Sequence, residues 1–357
     1  MSVFHPLRIR DIQKTTKDCS VIQFDVPSEL NDMFSYKQGQ YLTLRTTING
    51  EDVRRSYSLC SSPLDDDLKV AVKQITGGVF STFVNNELTI GETLEVMPPS
   101  GEFYVDIDPL ASKNYIAFAA GSGITPILSI IKTHLISEPC STFKLFYVNR
   151  TAKSVILKEE IEKIKNQFIN RFQVFYFLTK EQRDIPFLNG RFSSEKLQLL
   201  IQSFIDIMNT DDCFICGPKE MIFLIRDEMQ TAGLAKEKIH YELFFSGKTI
   251  ENDKRIAEVL EQKVEGTEVT IIDGSKEFHF VMDEDYDNIL DGALAAGADL
   301  PFACKGGVCS TCKCRVLEGS VEMKINYALD DNEVAQKLVL SCQAVPISEK
   351  VIVDFDV

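Results

Sequence analysis

The sequence predicts a multidomain protein with an antiparallel β-barrel, an α/β domain built on a parallel sheet, and a small α+β domain. Three observations predict this division. The chain has 357 residues, which is more than one ordinary core accommodates. Its apolar segments change from short strands between turn residues to strands that alternate with helical patterns. A loop near the C-terminal end holds several closely spaced cysteines.

Residues 1–107 predict the barrel, because turn signals at Asn49-Gly50, Gly77-Gly78 and Pro98-Pro99 separate short apolar segments. The strands that we expect are Ser20–Val26, Tyr41–Thr47, Tyr57–Cys60, Leu68–Gln74 and Thr93–Met97.

Residues 108–245 predict the α/β domain, because apolar runs alternate with helical patterns, as in a parallel sheet flanked by helices. The expected strands are Tyr115–Ala120, Phe143–Val148, Phe172–Phe177 and Cys213–Cys216. The expected helices are Ile127–Leu135, Val155–Gln167, Ser194–Phe204 and Lys219–Ala232.

Residues 246–264 are polar, and we interpret them as a linker to a third domain at 265–357. The elements expected there are strands Glu268–Ile272 and Phe278–Met282, a helix near Asp287–Ala296, and a strand at Lys313–Leu317.

Composition and charge exclude several classes of protein. No apolar run is long enough to cross a bilayer, and the N-terminus lacks a signal-peptide pattern, so we expect a cytoplasmic protein without a membrane partner. Ten cysteines in a reducing compartment favour metal or redox chemistry over disulfides. A net charge of −15 argues against nucleic-acid binding. Residues 265–357 contain 18 acidic and 7 basic residues, which fits either a solvated surface or a docking face for a basic partner.

The cysteine loop reads CKGGVCSTC, which places Cys304, Cys309 and Cys312 within nine residues. Cys342 follows Cys312 after 29 intervening residues. Four residues separate the first two of these cysteines, and two residues separate the second from the third. This spacing, with one distant cysteine, is typical of a plant-type [2Fe–2S] centre, whose two irons take four thiolates. A zinc site would usually show two CxxC pairs or histidines, and free structural cysteines are the other alternative. Cys314 lies outside the pattern.

Two turns of the α/β domain are candidates for nucleotide binding. Tyr115–Ala120 is followed by Gly121-Ser122-Gly123-Ile124-Thr125-Pro126, and glycines there let a backbone approach a pyrophosphate at a helix N-terminus. Pro126 stands where the dinucleotide fingerprint has a third glycine, so glycines that merely close a turn are an alternative. Cys216-Gly217-Pro218 forms the second turn.

A nicotinamide delivers two electrons as a hydride, whereas the predicted cluster accepts one, so a flavin is needed between them. In the barrel, Arg55-Ser56-Tyr57-Ser58 offers an arginine for a phosphate, an aromatic ring and hydroxyls. Gly78-Val79-Phe80-Ser81 opens a predicted helix and offers N–H groups to a second phosphate. A solvated edge strand and a plain helix cap are the alternatives for these two segments.

These motifs, in this order, resemble those of the ferredoxin-reductase flavoprotein superfamily with a plant-type ferredoxin fused at the C-terminus. The resemblance covers essentially the whole chain. It implies a flavin-binding FR-type β-barrel, a Rossmann-like NAD(P)-binding domain and a β-grasp ferredoxin domain, with FAD, NADPH or NADH, and a [2Fe–2S] cluster as cofactors.

The resemblance also implies roles for single residues. Arg55 would hold the flavin phosphate, Tyr57 would stack on the isoalloxazine, and Ser58 would lie near its N5 atom. Glu242 would approach the flavin edge, so the candidate catalytic residues are Tyr57, Ser58 and Glu242. The other candidate cofactor-binding residues are Gly78 and Ser81 for the FAD pyrophosphate, Gly121, Gly123, Thr125 and Pro126 for the nucleotide, and Cys216, Gly217 and Pro218 for the nicotinamide pocket. Ser56, Lys73 and Val79 are further cofactor-binding candidates.

The nucleotide preference depends on Arg150, which follows the second strand of the α/β domain. A cationic side chain there can pair with a 2′-phosphate, and no acidic residue occupies that strand end, so we expect NADPH rather than NADH.

Segments such as FHPLRI, KQGQYLTL and LSCQAVP resemble the reductase components of multicomponent phenylacetyl-CoA epoxidases. The resemblance implies that the partners are NADPH and the diiron oxygenase subunits of a multicomponent monooxygenase. A reductase for another oxygenase, such as a ring-hydroxylating dioxygenase, and a redox sensor without turnover are the alternatives.

Overall fold

The computed structural model describes residues 4–244, 254–282 and 284–357. The chain forms two compact units. The first comprises His5–Val53 and Tyr57–Phe244, and the described residues from Lys254 onward belong to the second.

The first part of the first unit is an antiparallel six-stranded sheet, as predicted. Its strands are β1 His5–Thr16, β2 Cys19–Asp25, β3 Tyr41–Ile48, β4 Glu51–Ser58, β5 Leu68–Lys73 and β6 Thr93–Val96, with helix α1 at Val79–Asn86. The strand order is β4-β3-β6-β1-β2-β5, and a bridge between Leu59 and Val70 joins the end of β4 to β5. The sheet therefore closes on itself, and its buried side chains, among them Leu7, Ile22 and Val70, fill the inside.

Two strands of this sheet differ from the prediction. Strand β1 was not expected, because its sequence HPLRIRDIQKTT is mostly polar and its pairing with β2 shifts register between Ile9 and Asp11. Strand β4 runs over Glu51–Ser58 rather than Tyr57–Cys60, because Val53 and Ser58 provide buried positions on either side of the two arginines.

The second part of the first unit is a parallel sheet with helices. In chain order the elements are β7 Asn114–Ala120, α2 Ile124–Ser137, β8 Thr142–Asn149, α3 Lys158–Gln167, β9 Phe172–Leu178, α4 Ser194–Phe204, β10 Asp212–Gly217, α5 Lys219–Thr231 and β11 Ile239–Leu243. The strand order is β11-β10-β7-β8-β9, and every pairing is parallel. Helix α3 starts three residues later than predicted, because Leu157 before it has a left-handed backbone with φ 56°.

The two parts of this unit are joined by buried polar contacts. The Ser129 hydroxyl donates to the Ser61 carbonyl at 2.6 Å, and the hydroxyls of Ser62 and Thr133 lie 2.8 Å apart. One hydrophobic cluster also contains residues of both parts, including Cys60 and Ile131. The barrel is thus held in a fixed position on helix α2.

The second unit is an α+β fold. Its elements are α6 Lys254–Leu260, β12 Glu268–Asp273, β13 Lys276–Val281, α7 Ile289–Ala295, β14 Lys313–Glu318, β15 Val321–Met323, α8 Asp331–Ala335, β16 Leu338–Leu340, β17 Ala344–Pro346 and β18 Lys350–Asp354. The main sheet has the order β13-β12-β18-β14-β16, and β15 pairs with β17. Helix α7 buries Ile289, Leu290 and Ala293 in the domain core.

The segment predicted to be a linker contains helix α6, which buries Val259. Residues 246–253 of that segment lie outside the described residues. Among the residues that the structure describes, no helix is both long and apolar enough to cross a bilayer.

Candidate functional site

The parallel sheet places both predicted nucleotide turns at one point. The chain leaves β7 for β8 and β9 on one side and later returns to β10 on the other side of β7. The carboxyl ends of β7 and β10 are therefore neighbours at a topological switch point, where α/β sheets bind ligands. Cys216 on β10 is the register partner of Ala119 on β7.

Glycines allow these two turns to touch. Gly121 has φ +54°, which favours glycine. A Cβ atom on Gly123 would overlap the Cys216 carbonyl oxygen, and one on Gly217 would meet the side chain of Met221. Pro126 lies in the first turn of α2, where its missing N–H removes no helical hydrogen bond. Thr125 is buried, and its hydroxyl donates to the Ser122 carbonyl at 3.1 Å.

Three of the predicted residues meet beside this switch point. The Ser58 hydroxyl donates to Glu242 Oε2 at 2.9 Å, although 184 residues separate the two in the chain. Glu242 lies on β11 as the register partner of Cys216. Burial, together with the charge of Glu242, raises the pKa of the Cys216 thiol well above its ordinary value, so this thiol stays neutral. Pro218 is exposed just after it.

On the barrel side, Tyr57 is half-buried and packs against Phe80 of α1, with ring centroids 5.7 Å apart at 34°. Arg55 is exposed, and its guanidinium donates to the carbonyl of Arg54 at 2.7 Å. Ser56 is partly exposed between them. The aromatic ring and the cation therefore remain near the surface, where a ligand can reach both.

The residues around the start of α1 differ in how accessible they are to a ligand. Gly78 is the N-cap of α1, and Val79 is exposed at its first position. Ser81 is 5% exposed; its hydroxyl donates to the Gly78 carbonyl and accepts from Ile75 N, both at 3.2 Å. In this geometry Ser81 stabilises the turn, and its hydroxyl proton is already used in the hydrogen bond to the Gly78 carbonyl.

Lys73, at the end of β5, reaches the α/β domain. A Cβ atom on Gly121 would lie 3.7 Å from the Lys73 ammonium. The lysine charge is therefore next to the nucleotide turn, where it suits a phosphate.

Sequence reasoning missed a supporting network around α1. The buried Asn85 amide donates to the carbonyls of Val72 and Ser81, and its oxygen accepts from Lys14 and Ser20. These bonds fix α1 to β1, β2 and β5. No local pattern could have revealed them, because Lys14 and Asn85 are 71 residues apart.

Arg150 is exposed just beyond β8. No acidic residue belongs to that strand end, but the structure brings one from the next strand. Glu181, after β9, accepts a hydrogen bond from the backbone N–H of Ala152 at 2.8 Å. A carboxylate at this place repels a 2′-phosphate, whereas the arginine attracts one.

The four predicted cluster cysteines lie in the second unit as two pairs. Cys304 hydrogen-bonds with Cys309, and Cys312 with Cys342. The hydrogen bond from Cys309 lowers the pKa of Cys304 to about 7 although burial raises it. Within the described residues, no group of three or more His, Cys, Asp or Glu side chains converges as a single metal ion would require. Two pairs of thiols fit two irons with two thiolates each.

The loop carrying these cysteines bends through left-handed backbone conformations at Lys305, Gly307 and Ser310. The N–H of Gly306 donates to Cys304 Sγ at 3.2 Å, which is a contact that stabilises a thiolate. Cys314 lies on β14, fully buried, and burial raises the pKa of its thiol. It is therefore a neutral core thiol, and it is not one of the four predicted ligands.

Comparison with known families agrees with the three-part architecture. Residues 6–104 match the oxidoreductase FAD-binding domain, residues 118–227 the oxidoreductase NAD-binding domain, and residues 271–346 the 2Fe-2S iron-sulfur cluster binding domain. The chain belongs to the flavin- and nicotinamide-dependent reductases that carry a [2Fe–2S] domain, which confirms the superfamily and the fold class predicted from the sequence. It is an oxidoreductase with FAD, a nicotinamide nucleotide and a [2Fe–2S] cluster as cofactors.

Two relatives cover nearly the full chain. The sequence is 41% identical to a component protein of the 1,2-phenylacetyl-CoA epoxidase of Escherichia coli (strain K12), over 100% of this chain and 99% of the relative. It is 32% identical to the ferredoxin reductase component of 3-ketosteroid-9-alpha-monooxygenase of Rhodococcus rhodochrous, over 98% and 96%.

Among solved structures, phthalate dioxygenase reductase matches with a TM-score of 0.62 at 21% identity, over 99% of this chain and 98% of that chain. An intact type IV self-sufficient cytochrome P450 monooxygenase matches with a TM-score of 0.70 at 21% identity; the match covers 98% of this chain and 41% of that longer one. At this identity the two structures support the fold alone.

Proposed function

We propose that this chain is the reductase component of a multicomponent phenylacetyl-CoA epoxidase. It takes two electrons from NADPH and delivers them singly to the diiron oxygenase of that complex. The observation that carries this proposal is the 41% identity, over the full length, to a protein named as a component of such an epoxidase. The order of the three domains, with flavin, nicotinamide and cluster domains in succession, supports the same electron path.

When bound, FAD accepts a hydride from the nicotinamide and releases single electrons, which a [2Fe–2S] centre takes one at a time. The protein's own residues fix the positions of the side chains at the switch point. Glu242 accepts a hydrogen bond from the Ser58 hydroxyl and so fixes the direction of that hydroxyl. Cys216 remains a neutral thiol on the neighbouring strand, and the glycines at 123 and 217 let the two nucleotide turns pack closely against each other.

The preference for NADPH rests on the balance between two charges. Arg150 provides a cation for the 2′-phosphate, and Glu181 provides a carboxylate close by that repels this phosphate. We expect the attraction of Arg150 for the 2′-phosphate to exceed the repulsion by Glu181, because Arg150 is exposed and Glu181 is already hydrogen-bonded to the Ala152 N–H. The enzyme should therefore prefer NADPH.

Docking to the oxygenase uses the acidic third domain. Residues 265–357 carry a net charge of −11, from 18 acidic and 7 basic residues, which suits a basic surface on the partner. Reconstitution with separately purified epoxidase oxygenase tests the proposal. We expect NADPH-dependent turnover of phenylacetyl-CoA whose rate falls as salt rises. Turnover only with a different oxygenase would contradict the assignment, and a rate independent of salt would contradict electrostatic docking.

A reductase for another oxygenase is the second candidate, favoured by the 32% identity to the ketosteroid monooxygenase component. Parallel assays with the two oxygenases separate the candidates. A redox sensor without turnover belongs to a different class. A chain that reduces ferricyanide or cytochrome c catalytically with NADPH excludes the sensor.

A further inference from the structure

Gln343 follows the fourth cluster cysteine directly and lies inside the second unit. It is only 6% exposed, between β16 and β17. A buried side-chain amide is costly unless its hydrogen-bonding groups are satisfied. The partners of this amide therefore show what the glutamine does.

The Gln343 amide nitrogen connects the two segments that carry the cysteines. Nε2 donates to the Lys305 carbonyl at 2.9 Å, and it lies 3.7 Å from Cys342 Sγ, within the range of an N–H···S hydrogen bond. The first bond reaches the loop that carries three of the cysteines, and the second reaches the cysteine from the separate segment. The amide nitrogen thus has two acceptors, one for each of its N–H groups.

Gln343 binds the loop at Lys305, where the backbone is strained. Lys305 has φ +50°, a left-handed conformation that is unfavourable for a residue other than glycine. Two contacts offset this cost: the bond from Gln343 to the Lys305 carbonyl, and an ion pair between Lys305 Nζ and Asp291 at 2.7 Å. The loop also packs closely on the glutamine, because a Cβ atom on Gly307 would lie 3.2 Å from Gln343 Cγ.

We propose that Gln343 raises the reduction potential of the [2Fe–2S] cluster by donating an N–H···S hydrogen bond to Cys342, and that the same amide holds the cysteine loop through Lys305. Reduction adds one electron and no proton, and it increases negative charge on the thiolate sulfurs. A donor to one of these sulfurs stabilises the reduced state more than the oxidised state. This inference deepens the proposed electron-transfer function. It rests on one part of that function, namely that the four cysteines bind a cluster.

The test uses the full-length chain with Gln343→Met, which keeps the side-chain length and removes the donor. The cluster is titrated with dithionite at controlled potential, and its reduced form is followed by electron paramagnetic resonance. We expect the one-electron equilibrium to shift about tenfold against reduction, which is 59 mV toward more negative potential. Gln336→Met, at an exposed glutamine of the same unit, is the matched control and should leave the potential unchanged. An unchanged potential in Gln343→Met overturns the proposal, even if that variant loses its cluster faster.

A second measurement needs no variant, and so covers the case in which Gln343→Met assembles no cluster. Wild-type protein is labelled with side-chain ¹⁵N-glutamine, reduced, and examined by pulsed paramagnetic resonance. We expect a weak coupling from one glutamine nitrogen with an exchangeable proton; its absence overturns the N–H···S bond. Wild-type protein without iron and labile sulfide would instead overturn the proposed function itself.

Discussion

The hydroxyl of Ser58 on the barrel donates a 2.9 Å hydrogen bond to the carboxylate of Glu242 on the last strand of the parallel sheet. This bond links the predicted flavin domain to the predicted nicotinamide domain at the switch point. We expect Ser58→Ala to lower the rate of flavin reduction by NADPH about tenfold or more, because the hydroxyl is lost and the carboxylate no longer accepts the hydrogen bond from Ser58. Stopped-flow absorbance measures this rate directly.

Glu242→Gln should also slow flavin reduction, with little change in flavin content. Ser100→Ala, at an exposed serine of the barrel, is the control and should match the wild type. A Ser58→Ala variant that reduces its flavin at the wild-type rate would remove Ser58 from the site.

The charges beside β8 predict the nucleotide preference. Arg150→Ala should lower kcat/KM for NADPH about 10-fold or more and leave the value for NADH nearly unchanged, because a charged hydrogen bond is worth about 1.5–3 kcal/mol. Glu181→Gln should raise kcat/KM for NADPH several-fold, since it removes a repelling carboxylate. Lys163→Ala, at an exposed cation of α3, serves as the control. Equal losses for both nucleotides in Arg150→Ala would show that this arginine does not contact the 2′-phosphate.

The close approach of the two nucleotide turns predicts a steric effect. In Gly123→Ala, the new methyl group would overlap the Cys216 carbonyl, so α2 or β10 must shift. We expect a loss of about 1–3 kcal/mol in the free energy of unfolding and weaker NADP⁺ binding. Urea unfolding and calorimetric titration measure the two effects. Ser100→Ala, at the exposed serine of the barrel, should change neither.

A buried acid in the α/β domain predicts the acid stability of the fold. Glu138 is fully buried and accepts from Tyr115 at 2.9 Å and pairs with His134 at 3.0 Å. Burial alone would raise its pKa, but hydrogen bonds, first that from His134, lower the pKa from 4.5 to about 2. The folded state therefore binds this proton less readily than the unfolded state. The resulting stability is present above pH 4.5 and is lost as the pH falls toward 2.

We expect the wild type to lose about 1 kcal/mol from this group between pH 7 and pH 4. Glu138→Gln should be less stable at pH 7, and its difference from the wild type should shrink at pH 4. Glu159→Gln, at an exposed acid of α3, should show no such convergence. A constant difference at both pH values would contradict the lowered pKa of Glu138.

The cysteine pairs predict which thiols hold the cluster. Cys342→Ala should abolish the visible absorption of the cluster, because one iron then lacks a ligand. Cys314→Ala, in the core beside the ligands, should keep the iron and labile-sulfide content of the wild type. Loss of the cluster in Cys314→Ala with a folded domain would require a different ligand set.

The sequence predicted well those elements whose formation depends on neighbouring residues in the chain, such as caps and regular apolar spacing. Helix α4 has its predicted bounds, because Ser193 caps it and its apolar spacing is regular. Strand β11 was not predicted, since only its pairing with the fully buried β10 makes a strand of a short polar segment. Glu181 lay beyond sequence reasoning for a related reason: parallel pairing brings it next to the loop after β8 from 29 residues away. The four cysteines predicted as ligands could be selected from the sequence because their spacing is itself the signal.

The most direct test of the electron path is anaerobic mixing of the purified chain with one equivalent of NADPH, with flavin and cluster signals recorded together. We predict that the flavin absorbance bleaches first and that the paramagnetic signal of the reduced cluster then appears at a rate independent of protein concentration. In Cys342→Ala the flavin should still bleach without that signal. A flavin that NADPH does not reduce, or a cluster that stays oxidised while the flavin is fully reduced, would contradict the account.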